Sequence, residues 1–145
     1  MRKEVIKMKW ENTLMAYEED IKSRSFWDWI KAHTSFMKPL HRYEGVLELT
    51  EQKIRFTGRD VKEKKDFRLE VEIEKITDIH FGFDDVFTRW EDRGAPWNKP
   101  LRIKYKSEEG EKTIYLFANF HHKYGMRTSD NKEVFEKLKS HLKGE

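Results

Sequence analysis

The 145-residue sequence contains no cysteine. That excludes disulfides, thiol nucleophiles and cysteine-held zinc or iron–sulfur sites. Proline occurs three times, at Pro39, Pro96 and Pro100, each in a stretch that reads as loop. The seven glycines are scattered, so no glycine-rich phosphate loop exists, and no Gly-x-Ser-x-Gly elbow is present. Asparagine and glutamine number only five against a background of abundant lysine and glutamate, a composition resembling that of thermophilic proteins. No apolar run approaches the roughly 18–20 residues of a membrane span. The start, Met1-Arg2-Lys3-Glu4-Val5, lacks the apolar centre of a secretory signal. The expectation is a cytoplasmic protein, with any membrane association peripheral.

What the chain has is charge and rings. Charged residues make up 39% and aromatics 14%, too many rings for a disordered chain. Basic residues exceed acidic ones by only three, too small an excess for a dedicated nucleic-acid binder. The length suits one domain, 1–145, with an N-terminal strand or helix extension over 1–42 and a β-rich body over 43–145.

From Tyr43 onward the pattern has period two. Leu47 and Leu49 alternate with Glu48 and Thr50, Glu51-Gln52 turns the chain, and Ile54 and Phe56 resume. Gly58-Arg59-Asp60 ends that strand, and a charged connection runs to Asp66. Phe67, Leu69, Val71 and Ile73 form the cleanest strand; the phase then slips at Glu74-Lys75, as at a corner, before Ile79, Phe81 and Phe83. A long loop over 84–100 precedes Leu101, Ile103 and Tyr105. In the next strand Ile114, Leu116 and Ala118 oppose Tyr115 and Phe117, so that strand is covered on both sides or its rings face a groove. Asp130 and Glu133 have capping-box spacing, and Val134, Phe135, Leu138 and Leu142 form the apolar stripe of a C-terminal helix. Before residue 43, Ile6, Trp10, Leu14, Tyr17 and Ile21 fit a helical stripe, while Thr13–Tyr17 serves equally as a strand. The expected core is Leu47, Leu49, Ile54, Phe56, Leu69, Val71, Ile73, Ile79, Phe81, Leu101, Ile103, Leu116, Phe135, Leu138 and Leu142.

The run Tyr43-Glu44-Gly45-Val46-Leu47-Glu48-Leu49-Thr50 resembles the "G-x-L-x-L-T" strand of the pleckstrin-homology superfold, in its GRAM-like and prokaryotic PH-like branches. Lys53–Gly58 is similar to the strand that follows, and Leu69–Ile76 to the passage between the two sheets. The resemblance implies a mainly β fold: a partly open, seven-stranded barrel of two packed antiparallel sheets, capped by one C-terminal helix. It also implies a binding module rather than an enzyme. In related folds the groove beside the C-terminal helix takes a peptide as an added strand. Lipid-binding members hold phosphate with basic residues around the loop between the first two strands, here Lys22, Arg24 and Arg42.

Two aromatic segments are candidate anchors. Trp27 and Trp29 lie among Lys22, Arg24, Lys31 and Lys38, the mixture of rings and cations found at anionic membrane surfaces. The plainer reading packs Phe26, Trp27, Trp29 and Ile30 on the barrel as a short helix. Trp90, Arg93 and Trp97 have the makeup of a protein-interaction hot spot, or of a long loop folded back on the barrel. In a seven-strand barrel these loops fall at opposite ends. A third surface, Arg102, Lys104 and Lys106 beside Tyr115 and Phe117, could stack single-stranded bases, but Glu70, Glu72 and Glu74 are available to neutralise it across the sheet, so nucleic acid is not the expected partner. The six histidines include no pair with i, i+4 spacing, and Asp84-Asp85 and Glu91-Asp92 lack a calcium-loop pattern. No metal and no cofactor is expected. The reading is a non-catalytic module for a protein or peptide, self-association included, with anionic membrane lipid as the alternative.

Overall fold

In the computed structural model, residues 6–23, 41–87, 99–123 and 126–142 are described. The strands are β1 (Ile6–Tyr17), β2 (Tyr43–Thr50), β3 (Lys53–Asp60), β4 (Lys65–Glu72), β5 (Ile76–Phe81), β6 (Leu101–Ser107) and β7 (Gly110–Phe117). A small hairpin, β8 (His121–Lys123) and β9 (Met126–Thr128), precedes the terminal helix. Among the described residues the helices are α1 (Glu18–Lys22) and α2 (Asn131–Leu142), and a 3-10 turn spans Ile73–Lys75.

The seven main strands form one antiparallel sheet in the order β4-β3-β2-β1-β7-β6-β5. The expectation of two separate sheets is corrected by β1, which pairs with β2 from Ile6 to Met15 and with β7 from Leu14 to Tyr17. Its length makes the hydrogen bonding continuous across the fold. The sheet is not closed, and β4 and β5 are its edges. The helical stripe proposed for the N-terminal segment yields to the strand alternative. The register of β1 shifts between Trp10 and Thr13, with Asn12 at φ 50°. A bulge of this kind reverses the alternation. Trp10 and Met15, five positions apart, therefore both enter the same core.

Local chemistry sets the corners. Thr50 Oγ1 accepts the N–H groups of Gln52 and Lys53 at 3.3 and 3.1 Å, so a hydroxyl makes the hairpin turn without an Asn-Gly pair. Asp60 Oδ1 accepts the N–H groups of Lys62 and Glu63, both at 3.0 Å, and turns β3 into β4. The phase slip at Glu74-Lys75 is the 3-10 turn, with the Ile73 N–H bonded to the Gln52 carbonyl at 2.8 Å.

All seven strands contribute side chains from one face to a single cluster, which α2 covers with Val134 and Leu138. Ten of the expected core residues are buried; Leu69, Ile79, Phe81 and Phe135 are half-buried against them. Leu142 is the correction, with 38% of its surface exposed. Its stripe is regular, but α2 carries it past the last strand. Neither carboxylate of the expected capping box turns back on its helix in the bonds seen: Glu133 Oε1 accepts the Trp10 indole N–H at 2.8 Å and Asp130 Oδ2 accepts the Asn119 amide. Asn131, 1% exposed, anchors the helix start by bonding Ala118 N–H and the Leu116 and Lys99 carbonyls, each at 2.8 Å.

The opposite face of β1 and β7 carries a second core. Leu14, Ala16, Tyr115 and Phe117 join Ile21, Phe87 and Phe120 there. β7 is thus buried on both faces, the first of the two alternatives its sequence left open.

Candidate functional site

Among the described residues no strand pairs with the outer edge of β5, which lies beside α2. The half-buried Ile79 and Phe81 pack against the inner core together with Phe135, whose ring centroid is 6.1 Å from that of Phe81. At the Ile76 end of this edge, a cavity of about 660 Å³ lies between the β2–β3 turn, the 3-10 turn and the end of α2. Ile73, Ile76 and Leu142 are among its lining residues. An edge strand presents unpaired N–H and C=O groups, so this edge offers main-chain hydrogen bonds next to apolar side chains. The other edge, β4, faces the end of β6 across a groove of about 530 Å³ that includes Leu69, Val71 and Tyr105.

Of the cations expected to hold an anion, Lys22 and Arg42 are described. Lys22 has a side chain 63% exposed, with Nζ 3.8 Å from Glu18 Oε1. Arg42 is engaged. Its guanidinium lies 3.0 Å from Asp20 Oδ1 and 3.1 Å from Asp60 Oδ2, and its carbon sits 5.7 Å from the centroid of the Tyr43 ring. Asp20 and Asp60 are only 8% and 2% exposed. Burial pushes the Asp20 pKa up, and the Arg42 bond and the Tyr17 N–H do not fully offset it. Burial also acts to raise that of Asp60, but the Glu63 N–H and Arg42 outweigh it and hold it below the usual carboxylate range. Both carboxylates satisfy this arginine, which ties α1 to the start of β2 and the end of β3. Sequence reasoning missed the two aspartates; strand-end Asp60 looked like a turn residue, which it also is.

Arg24, Trp27, Trp29, Trp90, Arg93 and Trp97 lie outside the described residues. The stems of the segments that carry them are described, and they meet. Ile21, before the first, and Phe87, before the second, belong to the same outer cluster. The expectation that the two loops lie at opposite ends falls outside the described residues; within them, Phe87 is carried back to the outer cluster. Asp84 is the reason: its Oδ1 accepts the Val86 and Phe87 N–H groups at 2.8 and 2.7 Å, while its Oδ2 accepts the Tyr115 hydroxyl at 2.8 Å and pairs with Arg102 at 2.9 Å. The chain leaving β5 is thereby folded back over β6 and β7. Burial favours a neutral Asp84, but these donors prevail and lower its pKa.

Of the basic sheet face, Arg102 and the two rings are engaged internally. Tyr115 and Phe117 are buried in the outer cluster and cannot stack on bases. Arg102 pairs with Asp78 and Asp84, and Glu70 pairs with Lys53, Arg55 and Arg68, so the expected neutralisation across the sheet has different partners. Among the described residues, no group of three or more acidic or histidine side chains is placed to share a metal ion, and no helix is long and apolar enough to cross a membrane. No protein-family model matches the chain, and no curated protein matches it.

Proposed function

We propose that the chain is a non-catalytic, pleckstrin-homology-like binding module that takes a peptide as an added strand along β5, beside α2. The observation that carries this reading is the β5 edge, unpaired among the described residues, with half-exposed Ile79, Phe81 and Phe135 alongside it. The strand order, with β1 bridging the two halves and a helix following the last main strand, supports the architecture. Attachment to anionic membrane is less favoured, because the candidate cation Arg42 would have to leave two buried carboxylates.

The test is selection from an unbiased displayed-peptide library, followed by amide chemical-shift mapping of the selected peptide on the labelled protein. Shifts concentrated at Ile76–Phe81 and on α2 are expected. Selected peptides that map elsewhere, or sedimentation with phosphatidylserine vesicles without any peptide binding, would overturn the reading.

A further inference from the structure

We propose that the cavity at the Ile76 end of β5 seats an apolar side chain of the bound peptide, and that the residues flanking that anchor are lysine or arginine. This rests on the peptide-binding reading and names the class of peptide.

Three features converge at the cavity. The first is apolar surface. Ile73 and Ile76 are 7% and 8% exposed, and Leu142, at 38%, is the one exposed large hydrophobic residue among those described. Leu142 continues the stripe of Val134 and Leu138 one turn beyond the cover of the sheet. The cavity volume, about 660 Å³, falls within the roughly 300–1,000 Å³ of ligand-holding clefts.

The second is the sign of the rim. Glu51, Glu72 and Glu74 line the cavity, and among the described residues Glu72 and Glu74 make no ion pair. One cation, Lys53, is also among the lining residues, and it has a partner outside them. Lys53 Nζ is 3.5 Å from Glu70 Oε2, and Lys139 Nζ is 5.8 Å from the centroid of the Phe135 ring. His141 Nδ1 is bonded to the Lys137 carbonyl at 2.9 Å. The carbonyl end of α2 adds partial negative charge at the same place. A rim of this sign on a chain of net charge +3 is a local reversal.

The third is continuity with the β5 edge, which begins at Ile76. A strand paired there is delivered to the cavity mouth. A neutral peptide would strip water from Glu72 and Glu74 without replacing it, and an acidic one would be repelled. A cationic peptide pairs with both while its anchor covers Leu142.

Two displayed libraries test this. One has a central leucine flanked by lysine and arginine, the other the same leucine flanked by glutamate and aspartate. Enrichment is expected from the cationic library alone. A selected peptide should lose affinity about tenfold on the double change Glu72→Lys with Glu74→Lys, and severalfold on Leu142→Ala. All three side chains are exposed, and thermal unfolding of each variant checks that the fold is kept. Equal enrichment from both libraries, or affinity unchanged by these substitutions, overturns the proposal. If unbiased peptides shift the β5 amides but ignore the variants, the cavity assignment fails and the edge reading stands. If no library yields a binder, both fail.

Discussion

Gly45 and Gly58 face each other across β2 and β3 so closely that a Cβ on Gly45 would lie 2.5 Å from the Gly58 Cα, and one on Gly58 would lie 2.7 Å from the Gly45 Cα. The atoms in the way are backbone, which cannot rotate aside. Phe67, paired with Gly58 on β4, stacks on Tyr43 with ring centroids 4.0 Å apart. Tyr17 meets both rings edge-on.

Gly58→Ala is therefore expected to destabilise the protein by roughly 1–3 kcal/mol, because the added methyl forces two paired strands apart. Urea unfolding checks it. Gly110→Ala, where a Cβ meets nothing within 4 Å, is strained by its φ of 109° alone and should cost about 1–2 kcal/mol.

Leu138 is fully buried under α2, whereas Leu142 on the same stripe is 38% exposed. Leu138→Ala should cost about 2–5 kcal/mol and Leu142→Ala less than about 0.5. Equal losses in chemical denaturation would contradict the end of the sheet cover at Leu138.

Arg42→Met leaves Asp20 and Asp60 buried without their cation, and a loss of about 3–5 kcal/mol at neutral pH is expected. The two aspartates should respond differently to neutralisation. Asp20 has a raised pKa, so Asp20→Asn is mild; Asp60 has a lowered one, so Asp60→Asn is the costlier change. Thermal unfolding of the three variants distinguishes them.

Asp84 has a pKa below that of an unfolded carboxylate, about 3.9. Its contribution to stability is present above that value and is lost as pH falls through the lower, folded-state value. Melting temperature should drop on acidification below about pH 4, and Asp84→Asn should flatten the drop that this group contributes. The same substitution weakens the Arg102 pair and the turn at Val86-Phe87. Its melting temperature at neutral pH should therefore be lower than that of the parent.

The strands from 43 to 118 were legible in the sequence because one buried face and one wet face impose a period of two on side-chain polarity. The helix over 131–142 was legible for the same reason at a period near four. Buried Leu47, Leu49, Ile54 and Phe56 follow directly from that alternation. Ile114 and Leu116 against Tyr115 and Phe117 left two readings of one strand, a cover on both sides or rings facing a groove, and the structure has cores on both sides. Periodicity is a local quantity, however, and it ends where a decision depends on chain that is distant in sequence. Tertiary structure decided that Trp10 and Met15 share a face, through the bulge at Asn12, and that β1 joins what would otherwise be two sheets. It decided that Arg42 is held by Asp20 and Asp60, residues 22 and 18 positions away, rather than presented to an anion. It decided that Leu142 stands beside a cavity although its spacing is that of a core residue. A helix's stripe is set by its own sequence, but its burial is set by how far the neighbouring strands reach.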